Sequence, residues 1–379
     1  MKLVVFGLTM SSSWGNGHAT LWRALCRSLA RRGHNVVFFE RDVPYYAVHR
    51  DLLAMDGVEL VLYADWHTVL QQARTELGSA DVGMVTSYCP DGVLATDVVL
   101  ASSALTVFYD LDTPVTLDVL KSGREVPYLG PRGLRDFDLV LSFTGGRALE
   151  ELQSVLGAQR VAPLYGHVDP DAHRPAPHMP QYEADLSYLG TYAADRQPAV
   201  EALFVEPARR APHRRFVIGG AQYPESFPWA PNIFFVRHLP PAEHPSFFSS
   251  SALTLNVTRR AMADMGYCPS GRLFEAAACG VPMLSDAWEG LETFFTPGDE
   301  ILVTRGAEDT LAALELPREE LARIAAAGRE RTLAEHTADR RAQELERALD
   351  DAFAGREAAP ALPFGWSATA ASDQRSVEL

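Results

Sequence analysis

Lysine is almost absent from this chain: Lys2 and Lys121 are the only two in 379 residues, and arginine supplies the rest of the positive charge. A genome rich in G and C accounts for that bias. Positive charge as a whole is also in deficit, 34 basic against 49 acidic residues, for a formal net charge of -15. That balance argues against a nucleic-acid backbone or an anionic membrane surface as the main partner. It leaves room for a phosphorylated ligand, which a few arginines in a cleft hold locally. Cysteine is scarce, with Cys26, Cys89, Cys268 and Cys279. No CxxC pair occurs and no His cluster shows metal-ligand spacing, so free thiols in a reducing compartment are expected and no metal is assigned. No stretch reaches the ~18 uncharged apolar residues of a membrane helix. The start, MKLVVFGLTM, has too short an apolar run for a signal peptide, which points to the cytoplasm.

What is present is a sequence that is 47% hydrophobic and 22% charged, enough to bury real cores in two domains of ordinary size. Short apolar runs alternate with helical periodicity, the pattern of parallel α/β sheets. In the first half the strands are read at Leu3–Gly7, Asn35–Glu40, Val58–Tyr63, Val82–Thr86, Ala104–Tyr109 and Leu139–Ser142. A helix over Ala19–Arg32 carries Leu21, Trp22, Leu25 and Leu29 at helical spacing and stops at Gly33. The second half repeats the theme at Leu186–Leu189, Phe216–Ile218, Ile233–Val236, Leu253–Val257, Pro282–Ser285 and Ile301–Val303. The Pro- and His-rich run Tyr165–Pro180 has no periodicity and reads as a linker. The expected organisation is a doubly wound domain over 1–165, a linker over 166–184, a second doubly wound domain over 185–354 and a flexible tail over 355–379. Ligands of such sheets bind at the carboxyl ends of the strands, here facing a cleft between the two domains.

Two segments carry candidate chemistry. The loop Thr9–His18 holds two glycines and several hydroxyls before a helix, which suits an anion or a sugar. It is neither a P-loop nor GxGxxG. The second segment, SGRLFEAAACG over Ser270–Gly280, places Ser270 as N-cap, a helix over Leu273–Ala278 and Gly280 as its stop. The positive helix end with Gly271 and Arg272 suits a diphosphate, and Glu275 one turn on suits a ribose diol. An ordinary capped βαβ helix with a surface acid is the competing explanation.

Gly17-His18, a helix, and then Arg32-Gly33-His34 resemble the opening of GT-B glycosyltransferases. F-E-A-x-A-C-G-x-P-x-L-S-D from Phe274 to Asp286 resembles the donor helix of their group 1 (GT4-like) members. The order and spacing over residues 1 to 345 most resemble the CgeB-like branch, named for spore-maturation proteins.

The resemblance implies an α/β fold of GT-B type, two Rossmann-like parallel-sheet domains facing a cleft. It implies transfer of a sugar from a nucleoside diphosphate sugar, UDP-sugar first, to an unidentified acceptor without metal or cofactor. His18 corresponds to the general base of inverting members, the alternative being a cap for the first helix. A base needs an orienting carboxylate, and Asp110 at a strand end is the candidate; with Asp112 it also spells the Asp-x-Asp that holds a metal in GT-A enzymes, and capping before Pro114 is a further alternative. The Ser87–Gly92 loop adds to the acceptor side. Donor contacts are expected from Gly17, Thr191, Tyr192, Arg196, Gly219, His238, Leu239, Asn256, Ser270, Gly271, Arg272 and Glu275. The family's E-x7-E motif is incomplete, because Tyr267 stands where the first Glu belongs. A GT-B-type sugar-nucleotide epimerase and a non-catalytic binding module are the rival readings.

Overall fold

The computed structural model describes residues 1–15 and 17–358. Its first half is a seven-stranded sheet of β1 (Lys2–Gly7), β2 (Asn35–Arg41), β3 (Val58–Tyr63), β4 (Val82–Thr86), β5 (Leu105–Asp110), β6 (Leu139–Ser142) and β7 (Val161–Pro163). The strands are all parallel, in the order β3-β2-β1-β4-β5-β6-β7. Period-two alternation fills both faces: Val4 and Phe6 enter one core with Phe39, Val85 and Phe108, while Leu3 and Val5 enter the other with Trp22, Phe38 and Tyr109. Strand β7 is the element missing from the sequence reading. It has three residues and ends on a proline at the sheet edge, too little for a periodic signal.

The second sheet contains β8 (Leu186–Leu189), β9 (Phe216–Gly220), β10 (Ile233–Arg237), β11 (Thr254–Asn256), β12 (Met283–Asp286) and β13 (Leu302–Thr304). It is also parallel throughout, in the order β10-β9-β8-β11-β12-β13. In each sheet the strand order reverses beside the first strand of that half, between β1 and β4 and between β8 and β11. Those two reversals open crevices at the carboxyl ends of the strands, and the two crevices face one another. This is the GT-B arrangement.

The helical tail of the sequence resolves into helices Ala307–Leu314, Arg318–Glu335 and Ala338–Ala358, interrupted at Pro317 and at His336-Thr337. The last of them packs on the first half of the chain, not the second. Ala342, Leu345, Leu349 and Ala352, at helical spacing, join the core around Trp22 and Leu25. Asp339 accepts from Ser28 Oγ at 2.7 Å, and Glu346 accepts from Arg32 at 2.8 and 2.6 Å. His34 Nε2 lies 2.7 Å from the same Glu346, so it serves the packing of the two helices. The expected tail from 355 begins inside this helix, and residues 359–379 lie outside the described residues.

The chain therefore crosses between the halves twice, and the crossings pair. Val168 donates to the His336 carbonyl at 3.0 Å, and Ala338 donates to the Val168 carbonyl at 2.8 Å. Arg341, 2% exposed, braces this point by bonding the Gly166 and Glu335 carbonyls. Burial, then the neighbouring Arg341, pushes His336 down to about 3, so it stays neutral there. Among the described residues no helix is long and apolar enough to cross a membrane, and all four cysteines are buried free thiols.

Candidate active site in the cleft

The cleft has a volume of about 640 Å³ and is walled by both halves. On the first side, the loop after β1 is held from beneath by Glu40 at the end of β2. Its buried carboxylate accepts from Thr9 Oγ1 at 2.8 Å, Met10 N at 2.8 Å, Ser11 N at 2.9 Å and Ser11 Oγ at 2.6 Å. Four donors on one fully buried carboxylate fix the loop's shape and repay the cost of burying its charge. Glu40 was not singled out from the sequence, although an acid at the carboxyl end of a buried strand is a recognisable signal.

Gly17 caps the first helix (His18–Arg31), and His18 is its first residue. Its ring lines the cleft. His18 Nε2 lies 3.7 Å from Asp112 Oδ2, and the ring meets Tyr88 edge-on at 5.5 Å between centroids. His18 Nδ1 is buried and has no hydrogen-bond partner among the described residues. Tyr88 belongs to the Ser87–Gly92 loop and takes a left-handed φ of 61°, which turns its ring to the cleft wall. Burial, with Asp112 and Asp110 close by, raises its phenol well above the ordinary range.

Asp110 does not stand beside His18. It is fully buried and does not line the cleft. One of its carboxylate oxygens accepts from Asp112 N at 3.1 Å; the other has no partner. Burial pushes it up to about 6 against that backbone donor. Asp110 and Asp112 do not share a strand face, because β5 ends at Asp110. The chain then turns, with Asp112 at φ -137°, ψ 45°, into helix Thr113–Lys121. The turn sends Asp110 inward and Asp112 to the cleft, so Asp112 replaces it as the carboxylate near His18.

On the second side, helix Gly271–Ala278 begins as expected: Ser270 Oγ accepts from the Arg272 N–H at 3.4 Å, and Gly280 closes the helix end at φ 77°. Ser270, Gly271, Arg272 and Glu275 all line the cleft, as do Thr191, Tyr192, Arg196, His238 and Leu239. Arg196 is 9% exposed; its Nη1 donates to Tyr188 Oη at 3.2 Å, and its Nε has no partner. Burial and then the charge of Arg196 lower the pKa of Arg272, and both side chains line the cleft. Arg272's guanidinium makes no ion pair within 4 Å among the described residues. Two arginines beside a helix N-terminus are suited to an anion.

Glu275, one turn further, is ringed by histidines. Its Oε2 lies 3.9 Å from His173 Nε2 and 3.8 Å from His244 Nδ1. Burial opposes its charge, but His173, His244 and Arg272 outweigh that and hold the carboxyl down at about 2. His173 comes from the linker and His244 from the start of the short helix His244–Ser249; neither was singled out from the sequence.

Two expected donor residues lie behind the wall. Gly219 sits against the Leu189 and Phe247 side chains, and its neighbour Gly220 meets the cleft instead. Gly220 has φ 157°, its carbonyl accepts from His238 N at 2.7 Å, and a Cβ there would fall 2.0 Å from the Gly190 oxygen. Asn256 is buried and does not line the cleft. With Asp286 it pins Thr258: Asp286 accepts from Thr258 N at 3.0 Å and from its hydroxyl at 2.9 Å. Gly219 is the penultimate residue of β9 and Asn256 the last of β11, each one residue short of the cleft-lining Gly220 and Val257.

Tyr267 also has a definite place. At φ 47° its ring packs between Gly146 of the first half and Gly290 of the second, where Cβ atoms would approach to 2.6 and 2.5 Å. Its carbonyl accepts from Gly145 N at 3.0 Å. The residue at the first-Glu position thus joins the two halves and does not wall the cleft. A second bridge is formed by Trp14, stacked between His49 at 3.7 Å and His238 at 3.6 Å across the cleft.

These features define a GT-B fold with two arginines beside a helix N-terminus on one wall of the cleft and a histidine–carboxylate pair on the other. A family profile described as Glycosyl transferase-like matches residues 196–347, which include the arginine pair and the 271–278 helix. No curated protein matches the chain. Among solved structures the chain is similar to a sucrose-phosphate synthase from Thermosynechococcus elongatus (TM-score 0.68, 13% identity, covering 94% of this chain and 100% of that one). It is similar to HepE of Anabaena in complex with UDP-glucose (0.66, 12%, 93% and 100%). It is similar to a glycosyltransferase from Rickettsia africae (0.62, 10%, 93% and 98%). At these identities the likeness is one of fold.

Proposed function

We propose that the protein transfers a sugar from a nucleoside diphosphate sugar to an acceptor hydroxyl. The observation that carries this reading is the Arg196–Arg272 pair at the N-terminus of the 271–278 helix, facing a cleft in a GT-B fold. The matched family profile and the UDP-glucose complex of HepE support it, and they make a UDP-sugar the first donor to test. The finer placement in the CgeB-like branch rests on the sequence motif.

In this reading Arg196, Arg272 and the helix end hold the diphosphate and stabilise the charge of the departing phosphate, with no metal required for that step. Glu275 accepts from the ribose hydroxyls. Thr191, Tyr192, Gly220, His238 and Leu239 frame the rest of the donor. His18, lining the cleft with Asp112 3.7 Å from its Nε2, takes the acceptor proton. Asp112 steadies the ring and the positive charge it gains. Closure of the halves excludes water from the donor.

Thermal shift against UDP-, GDP-, dTDP- and CDP-sugars tests the reading, because donor binding raises Tm by linkage. Stabilisation by one of these nucleotides, lost in Arg272→Ala, supports it; no stabilisation by any of them overturns it. Incubating the binding donor alone and finding no epimer separates transfer from epimerisation.

A further inference from the structure

We propose that His173, His244 and Glu275 form a three-ligand site for a borderline divalent cation of the zinc class, with an open coordination position toward the cleft. Two ring nitrogens face this carboxylate without a hydrogen bond: His173 Nε2 and His244 Nδ1 are both buried and unpartnered. The two contacts to Glu275 Oε2, 3.9 and 3.8 Å, are too long for hydrogen bonds. A buried polar atom left without a partner costs about 1–3 kcal/mol, so two that face one carboxylate call for something to satisfy them.

The donor set fits a cation. One atom from each of His173, His244 and Glu275 lies within 4.8 Å of the others. Bonds of about 2.0–2.2 Å to zinc draw such atoms to roughly 3.5 Å apart, a closure that side-chain rotation supplies. The rings are already side by side, with centroids 6.2 Å apart. Two imidazoles and one carboxylate suit Zn²⁺, Co²⁺ or Ni²⁺, not Mg²⁺ or Ca²⁺, and they leave the fourth position free. His173 is 6% exposed and closes the back of the site, while His244 and Glu275 line the cleft and direct the open position into it. The linker supplies one ligand and the second half two, so the cation would also fasten the linker to the donor wall. This site goes beyond the transferase reading and does not depend on it.

The test uses the full chain, freed of metal by chelation and dialysis and titrated with CoCl₂ while visible absorption is followed. One Co²⁺ per chain, with the d–d bands of a four- or five-coordinate ion, is expected. ZnCl₂ should displace it and raise Tm. His173→Ala and His244→Ala should each weaken Co²⁺ binding at least tenfold, while His213→Ala, at an exposed position, leaves it unchanged. Absence of a stoichiometric Co²⁺ band in the wild type overturns the proposal whatever the variants do. Undiminished binding in both His variants overturns it as well. Binding of UDP to the chelated protein is measured separately, so the transferase reading stands or falls on its own result.

Discussion

His18 Nε2 and Asp112 Oδ2 face each other at 3.7 Å on the first wall of the cleft, and the carboxylate two residues earlier, Asp110, is turned into the core. This pairing sets the first expectation. His18→Ala should lower kcat for transfer by about 10²–10⁴ while leaving donor affinity unchanged. Asp112→Asn should lower kcat less, since it removes only the steadying charge. Steady-state kinetics with donor binding measured by calorimetry checks both. Loss of donor binding together with kcat in His18→Ala would assign that residue to the donor site instead.

Asp110 should behave in the opposite way. Its carboxyl is raised from 3.8 to about 6, so its proton is bound more tightly in the folded chain than in the unfolded one. The stability this brings is complete below about pH 4 and is lost as pH rises through about 6. Asp110→Asn removes the buried charge and keeps the oxygen that accepts from Asp112 N. It should therefore raise Tm by a few degrees at pH 8 and change it little at pH 4, with kcat nearly intact. Scanning calorimetry at the two pH values reads this directly, and a lower Tm at pH 8 would refute it.

The arginine pair should govern the donor. Arg272→Ala and Arg196→Ala should each weaken nucleotide diphosphate binding by roughly ten- to a hundredfold, the effect of losing a charged hydrogen bond of about 1.5–3 kcal/mol. Affinity for the corresponding nucleoside, which carries no phosphate, should not change. Titration calorimetry with UDP and uridine separates the two contributions.

Gly146 should tolerate nothing larger. At φ 55°, with the Tyr267 ring 2.6 Å from where a Cβ would lie, Gly146→Ala must strain the backbone and displace the ring. A loss of about 1–3 kcal/mol is expected, read from urea denaturation. Tyr267→Glu should destabilise the contact between the halves without restoring a sugar contact, because that side chain does not reach the cleft wall.

Much of the fold was legible because its signals are short-range. Buried parallel strands show as apolar runs, and helix ends show as caps: Ser270 and Gly280 bound the 271–278 helix in the sequence and in the structure alike. Arg196, Arg272, Glu275 and His18 could be placed at the cleft because each follows a strand at its carboxyl end, where topology sends it. Alternation separates Val4 from Leu3 within β1 but does not reach past Asp110, where the strand stops and dihedral angles, not periodicity, aim the side chain.

By itself the sequence determined that two parallel sheets would form, where their strands lie, and that a capped helix carrying an arginine follows one of them. The tertiary structure alone decided that Asp112 and not Asp110 meets His18, that Tyr267 joins the halves, and that the last helix returns to the first half. It alone brought His173 from the linker to Glu275 and His244. Hydrophobic period and turn chemistry act over a few neighbouring residues and can be read locally. Side chains 31 and 102 positions apart, as His244 and His173 are from Glu275, meet only through the crossovers that close the sheet.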